Sequence, residues 1–336
     1  MTINRRRFIQ AGAAVAAGSA IAWPMAAQAA TVLDLSEVLP EENWQTVEIR
    51  KFAKAVLEAT SGEVDIRIHS GGALGFKGPE HLRTVADGLV PMADLLGSQQ
   101  VGEEPFFKLE NLPFLVRNQQ DLLALHKYWR PEIDRIASEK FNQKFLTAMP
   151  SPTNCIYLNI KTDDIGQFNN VRVRGAAMID VEIFDHIGFA GIQIPWGELI
   201  PALASGRVDG VGTSPTSAVD GKFWEFMKYI YPTNHVWASN FITINLEHWN
   251  KLSAANQETL LALSAEYQPQ FWAASKNLGD KAFETLVSHG MELLEMPEGL
   301  LKTMQDRTQP LIDKYVADVP QAGPIIASYL KDVGRA

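Results

Sequence analysis

Arg174 is a permanently charged, fork-shaped donor at a point where a strand should end. In NVRVRG (170–175) Val171 and Val173 alternate with Arg172 and Arg174, the period-two pattern of a half-buried strand, and Gly175 turns the chain. A guanidinium there can take a carboxylate in two parallel hydrogen bonds and so serve as an anion clamp. The other reading is an ordinary surface ion pair with Asp180 or Glu182 a few residues on. Trp196 and the pair Thr213/Ser214 fall after the next two extended runs, placing an aromatic wall and two hydroxyls at comparable positions.

Other chemistries have less to stand on. The seven histidines are scattered, with neither HExxH nor HxH spacing, and no GxSxG elbow occurs. Glu198 and Asp209 could be imagined as an acid/base pair. The glycine-rich loop at 71–78 has backbone N–H groups that could cradle an anion, but it matches neither GxxxxGK[ST] nor GxGxxG. Cys155 is the only cysteine, which excludes an internal disulfide, a zinc-thiolate cluster and a CxxC redox pair; it reads as a small buried residue.

The elements that must position Arg174 are legible from spacing. The strand at 171–174 leads to a helix with Val181, Ile183, Phe184, Ile187 and Phe189 on one face. The extended run GIQIPW (191–196) follows, then a helix over 198–205 and a third strand beginning near Val208. Strand, helix, strand, helix, strand predicts a parallel α/β sheet, in which ligands sit beyond the carboxyl ends of the strands. The first half repeats the order: strands at 31–40, 64–70 and 92–98, with helices over 43–60 and 79–88. Ala148–Asn159 reads as the crossover between halves, and 230–245 as one return strand. A long helical pattern covers 253–290, followed by a short strand at 291–296 and helices over 298–316 and 320–333.

Composition agrees with a folded protein of two domains: 336 residues, 46% hydrophobic and 21% charged, with a net charge of -9. Residues 1–29 carry Arg5, Arg6, Arg7, a mild apolar run and a small-residue end before Ala30, the pattern of a leader peptide; without it the charge is -12. Such an acidic chain is not expected to bind nucleic acid or an anionic membrane. The order Arg5-Arg6-x-Phe8-Ile9 is similar to a twin-arginine signal, so export and cleavage near Ala29/Ala30 are expected, placing the protein in the periplasm.

The ordered set NVRVR (170–174), PWGELIPALASGRVDG (195–210) and KFWEFMKY (222–229) resembles the extracytoplasmic solute-binding proteins of TRAP (tripartite ATP-independent periplasmic) transporters of the DctP type. Upstream, FAKAVLEATSGEVDIRIHSGGALG, VADGLVPMADLLGS, EEPFF and NLPFLV carry the resemblance across almost all of the chain after the leader. The usual Gly-Leu-Lys before the arginine is Asn170, Val171 and Arg172 here, and the frequent tyrosine of the ELxxAL helix is absent.

The resemblance implies a two-lobed α/β fold, similar to type II periplasmic binding proteins, with a long helix spanning both lobes. Lobe I would hold 30–153 with about 239–265, and lobe II 154–238 with about 266–336. It implies Arg174 as the carboxylate clamp, with Phe76 and Lys77 from the glycine loop and Ser98 and Gln99 from the third strand facing the ligand. Asn154 stands where a second arginine is frequent, which points to a monocarboxylate. Trp196, Trp237 and Phe76 would wall the cleft, and Asn154, Gln99, Asn240, Thr213 and Ser214 would read hydroxyl or keto groups. His235 is either a hydrogen-bonded structural histidine or a further contact. The expected function is capture of a small organic acid by a monomer with no cofactor, for delivery to TRAP membrane permease subunits. A secreted enzyme acting on a small carboxylate and a ligand-presenting partner of a sensor kinase are the alternatives.

Overall fold

The computed structural model describes residues 30–335, so the expected leader lies outside the described residues. The first part of the chain forms β1 (Thr31–Ser36), α1 (Trp44–Ala59), β2 (Val64–His69), α2 (His81–Ala86), β3 (Met92–Leu96), α3 (Gln119–Phe141) and β4 (Gln143–Pro150). Next come β5 (Cys155–Leu158), β6 (Arg172–Gly175), α4 (Met178–Ile187), β7 (Ala190–Gln193), α5 (Trp196–Ala204), β8 (Gly210–Thr213), α6 (Pro215–Asp220) and β9 (Tyr229–Tyr231). The remainder is β10 (Ser239–Asn245), α7 (Leu246–Lys251), α8 (Ala254–Ser288), β11 (Glu292–Leu293), α9 (Glu298–Asp318) and α10 (Ala322–Asp332).

Two sheets result, one per lobe. The first runs β2-β1-β3-β10-β4, with β2, β1 and β3 parallel and β10 antiparallel to both its neighbours. The second runs β11-β9-β5-β8-β6-β7, parallel across β8-β6-β7 and antiparallel where β5 meets β8 and β9. Each lobe is therefore built on a parallel unit, as the alternating pattern predicts, extended by further strands of which β10 and β5 enter from the other lobe.

Helix α1 shows how locally this is encoded. Asn43 caps it by accepting from Gln45 N–H at 2.8 Å, and Ile49, Phe52, Ala53 and Val56 put one apolar stripe into the first-lobe core. Burying each such aliphatic or aromatic side chain is worth roughly 1.5–3 kcal/mol. At 35 residues, α8 is about 50 Å long. Its Leu260 and Phe271 belong to the first-lobe core and its Leu286 to the second, so one helix backs both lobes.

Three features differ from the sequence reading. The segment 230–245 is two strands in different sheets, with 232–238 crossing between lobes: Pro232 has no N–H for a ladder and Asn234 is left-handed at φ 48°. Helix α3 has no counterpart in that reading, because Pro131 interrupts an otherwise regular stripe of Leu122, Leu125, Trp129, Ile133 and Ile136. The stretch 266–336 divides between lobes. In α9, Leu300, Met304 and Leu311 join the second-lobe core, whereas Tyr315 and the Ala322, Ile326 and Tyr329 of α10 pack into the first.

Candidate functional site

Between the sheets lies a cavity of about 100 Å³, lined from both lobes and from the segments that cross between them. Arg174 enters it from the end of β6, 2% exposed, with Nε donating to the Ile194 carbonyl at 2.8 Å. No described carboxylate pairs with it. Glu182 instead pairs with Lys108 at 2.5 Å, and Asp180 spends Oδ2 on the N–H groups of Ala176 (2.8 Å) and Ala177 (3.0 Å) at the start of α4. Gly175 permits that cap: a Cβ there would lie 2.4 Å from the Asp180 side chain. Of the two readings open for Arg174, the structure thus shows a buried guanidinium facing a cavity and not a surface ion pair.

Burial lowers Arg174 to about 10, against the pull of the nearby Asp180 charge, and it stays protonated at neutral pH. Burial raises Asp180, while the Ala177 and Ala176 N–H groups and Arg174 oppose the rise. A buried cation without a hydrogen-bonded anion carries a desolvation cost of several kcal/mol. A ligand carboxylate against the free terminal nitrogens would offset it.

Of the other residues singled out from the sequence, Asn154, Trp196, Ser98, Gln99, Thr213, Ser214 and Asn240 line the same cavity. Their roles differ. Ser214 is engaged as the cap of α6, accepting from Ser217 N–H at 3.3 Å. Gln99 donates to the Ala176 carbonyl of the other lobe at 3.2 Å, and Asn240 donates to Asp94 at 2.7 Å. His235 also lines the cavity; its Nδ1 lies 2.7 Å from Thr233 Oγ1, and burial lowers it to about 3, so the ring is neutral.

Phe76 and Trp237 are not brought to the cavity. Phe76 packs against Val85, Val90 and Ala93 on the first lobe. Val236 and Ala238 line the cavity, and the intervening Trp237 points to the opposite side, into the first-lobe core, as the two-residue period of an extended chain requires. Lys77 instead spans the lobes to Glu198 at 2.8 Å. That pairing, with Asp209 held by Arg172 at 2.6 Å, separates the two acids imagined as a catalytic pair.

Cavity residues that the sequence reading passed over include Asp94, Asn111 and Ser151. Asp94 carries a usable signal, being the one polar residue in the buried strand Met92–Leu96. Asn111, which donates to the Trp237 carbonyl at 2.5 Å, and Ser151 lie outside any periodic pattern. Cys155 is buried and pushed up to about 12, so its thiol is not a nucleophile. Among the described residues no group of three or more His, Cys, Asp or Glu could hold a metal ion, and no helix is long and apolar enough to cross a membrane.

Comparison with known proteins gives a consistent outcome. Residues 35–318 match the family described as bacterial extracellular solute-binding protein, family 7 (DctP). The C4-dicarboxylate-binding periplasmic protein DctP of Rhodobacter capsulatus is 23% identical over 268 residues, 77% of this chain and 78% of that protein. The chain superposes with a TM-score of 0.86 and 24% identity on DctP7, a Bordetella pertussis extracytoplasmic solute receptor binding pyroglutamic acid, covering 89% of this chain and 99% of that one. A marine-metagenome TRAP solute-binding protein specific for pyroglutamate superposes at 0.85 with 25% identity, covering 90% and 99%.

Proposed function

The chain belongs to the bacterial extracellular solute-binding protein family 7, and on that premise we propose that its interlobe cavity takes a small organic acid bearing one carboxylate and delivers it to the membrane permease of a TRAP transporter. One observation carries the reading: Arg174 is a fully buried cation that lines the cavity, with no carboxylate among the described residues paired to it. The two lobes would close on the ligand, which gains contacts in the closed form that the open form lacks.

The cavity favours a monocarboxylate. Among the described residues no second lysine or arginine lines it, and Asp94 and Asp180 do. Pyroglutamate, named for two of the similar structures, is a small acid of that kind. Trp196 would supply an apolar wall, and Ser98, Gln99, Asn154, Thr213, Ser214 and Asn240 the polar contacts. The arginine-rich leader supports export to the periplasm with cleavage near Ala29/Ala30. We further expect a monomer that needs no cofactor.

The test is a thermal-shift and calorimetric screen of the protein against small organic acids. A ligand at one hundred times its dissociation constant stabilises the native state by about 2.7 kcal/mol. A charge-assisted contact to Arg174 is worth roughly 1.5–3 kcal/mol, so Arg174→Ala should weaken binding by tens of fold while the protein stays folded. Binding unchanged by that substitution overturns the clamp, and the absence of any binding acid overturns the whole reading.

A further inference from the structure

Two acids lie together at the first-lobe wall of the cavity, and among the described residues no cation is paired to either. Glu37, which follows β1, is fully buried; Asp94 on β3 is 2% exposed and forms part of the wall. Glu37 Oε1 accepts from Leu39 N–H at 2.7 Å, and Asp94 Oδ2 accepts from the Asn240 amide at 2.7 Å. The remaining oxygens, Glu37 Oε2 and Asp94 Oδ1, are buried with no partner among the described residues, and the charge of Asp94 bears directly on Glu37. Two ionised carboxylates are not stable side by side away from water, so the pair holds one proton.

Burial raises Glu37 well above the usual carboxylate range, and the Asp94 charge raises it further. Burial also raises Asp94, to about 6, but its bonds with Glu37 and Asn240 work against the rise. The pair shares one proton, and whichever acid carries it, Asp94 Oδ2 is the acceptor that fixes Asn240. An amide whose nitrogen is given to a carboxylate turns its oxygen away. Asn240 Oδ1 has no donor among the described residues, and Asn240 lines the cavity from the lobe opposite Arg174.

We propose that Glu37 and Asp94 are positioning residues: they hold the Asn240 oxygen as an acceptor facing the cavity, so that the site selects monocarboxylates bearing an N–H or O–H donor and rejects dicarboxylates. A second carboxylate on the ligand would meet this oxygen and the remaining charge of the pair with no second cation to receive it. The inference rests on the organic-acid reading given above and narrows it to a substrate class.

Ligand pairs matched in size and differing in the donor provide the test: pyroglutamate against its lactone analogue, lactate against 2-fluoropropanoate, with succinate as the dicarboxylate. Calorimetry on the wild-type protein should show the donor-bearing member of a pair bound roughly ten-fold or more tightly, because its partner leaves a buried acceptor unmatched. Asn240→Leu, close in size and uncharged, should bring that ratio near one, and so should Asp94→Leu. Glu37→Leu should reduce the ratio, whereas Glu37→Gln, whose amide N–H can stand where the shared proton stood, should keep it. Wild-type binding of both members within two-fold, or tighter binding of succinate, overturns the proposal and leaves organic-acid binding standing. A ratio that survives Asn240→Leu also overturns it. If no acid binds at all, the organic-acid reading fails and this inference fails with it.

Discussion

His235 shows what the cavity asks of a single residue. Its ordinary value of 6.5 falls to about 3 on burial, beside Phe184 and with Thr233 on Nδ1. Between those values the unfolded chain binds a proton that the folded chain refuses, so stability rises with pH across the window. The contribution is complete above about 6.5 and is lost as pH falls towards 3. Going from pH 7 to 4.5 should cost the native state on the order of 2 kcal/mol through this residue alone. Glu37 and Asp94, both raised, act in the opposite sense, since their folded forms keep protons that the unfolded chain gives up. They are present in wild type and variant alike, so a difference measurement isolates the histidine. His235→Gln should show a smaller drop in urea midpoint between pH 7 and 4.5 than wild type; an equal drop would mean that the ring is protonated or solvated in the native state. The sequence offers this histidine but not its burial. That comes from the packing of the crossing segment, which carries the ring, against Phe184, about fifty residues earlier in the chain and outside any local pattern.

At the scale of elements, the junction of β6 and α4 does most to build the clamp. Strand β6 ends at Gly175, and α4 begins three residues later with Asp180 turned back over the junction. Gly175→Ala would set a Cβ 2.4 Å from Asp180 and 3.3 Å from the Ala177 carbonyl. Forcing the first turn of α4 away should cost roughly 1–3 kcal/mol by urea titration and weaken ligand binding, because Arg174 precedes the displaced turn. A variant as stable and as tight as wild type would show that the junction yields freely. This junction was legible in VRVRG because alternation, charge and the glycine fall within six residues. So was α8, where Ser253 caps a regular run of apolar residues. What escaped had a local conflict or a non-local cause. Pro131 masks α3, Pro232 and Asn234 divide an apparent single strand, and the parity of 236–238 decides that Trp237 points into the core while its neighbours face the cavity. Asn240 and Gln99 were found through motif order, but that their amide nitrogens are already engaged is a tertiary fact.

The whole molecule is two lobes backed by α8 and held across the cleft by a few polar contacts. Lys77 reaches Glu198, Lys108 reaches Glu182, and Gln99 reaches the Ala176 carbonyl. Asn43 is the most economical of these. Its Oδ1 caps α1, while its Nδ2 donates to Asp220 Oδ2 on the second lobe at 2.6 Å. Burial already raises Asp220, against the bond from Asn43, so a second negative charge there would be poorly tolerated. Asn43→Asp keeps a good helix cap, since aspartate serves that position as well as asparagine, and replaces the interlobe hydrogen bond by two facing carboxylates. The expected result is a shift of the ligand-free protein towards an open arrangement. Its thermal stability should be little changed and its radius of gyration larger by small-angle scattering. Apparent affinity falls in proportion to the closed fraction, so a ligand should bind several-fold more weakly yet return the scattering curve to that of wild type at saturation. The loss should shrink as pH is lowered, because protonation of either carboxyl restores a donor across the cleft. Unchanged affinity and unchanged scattering in Asn43→Asp would mean that the lobes are held by α8 and the crossing segments alone, and that closure is not set at the cleft mouth.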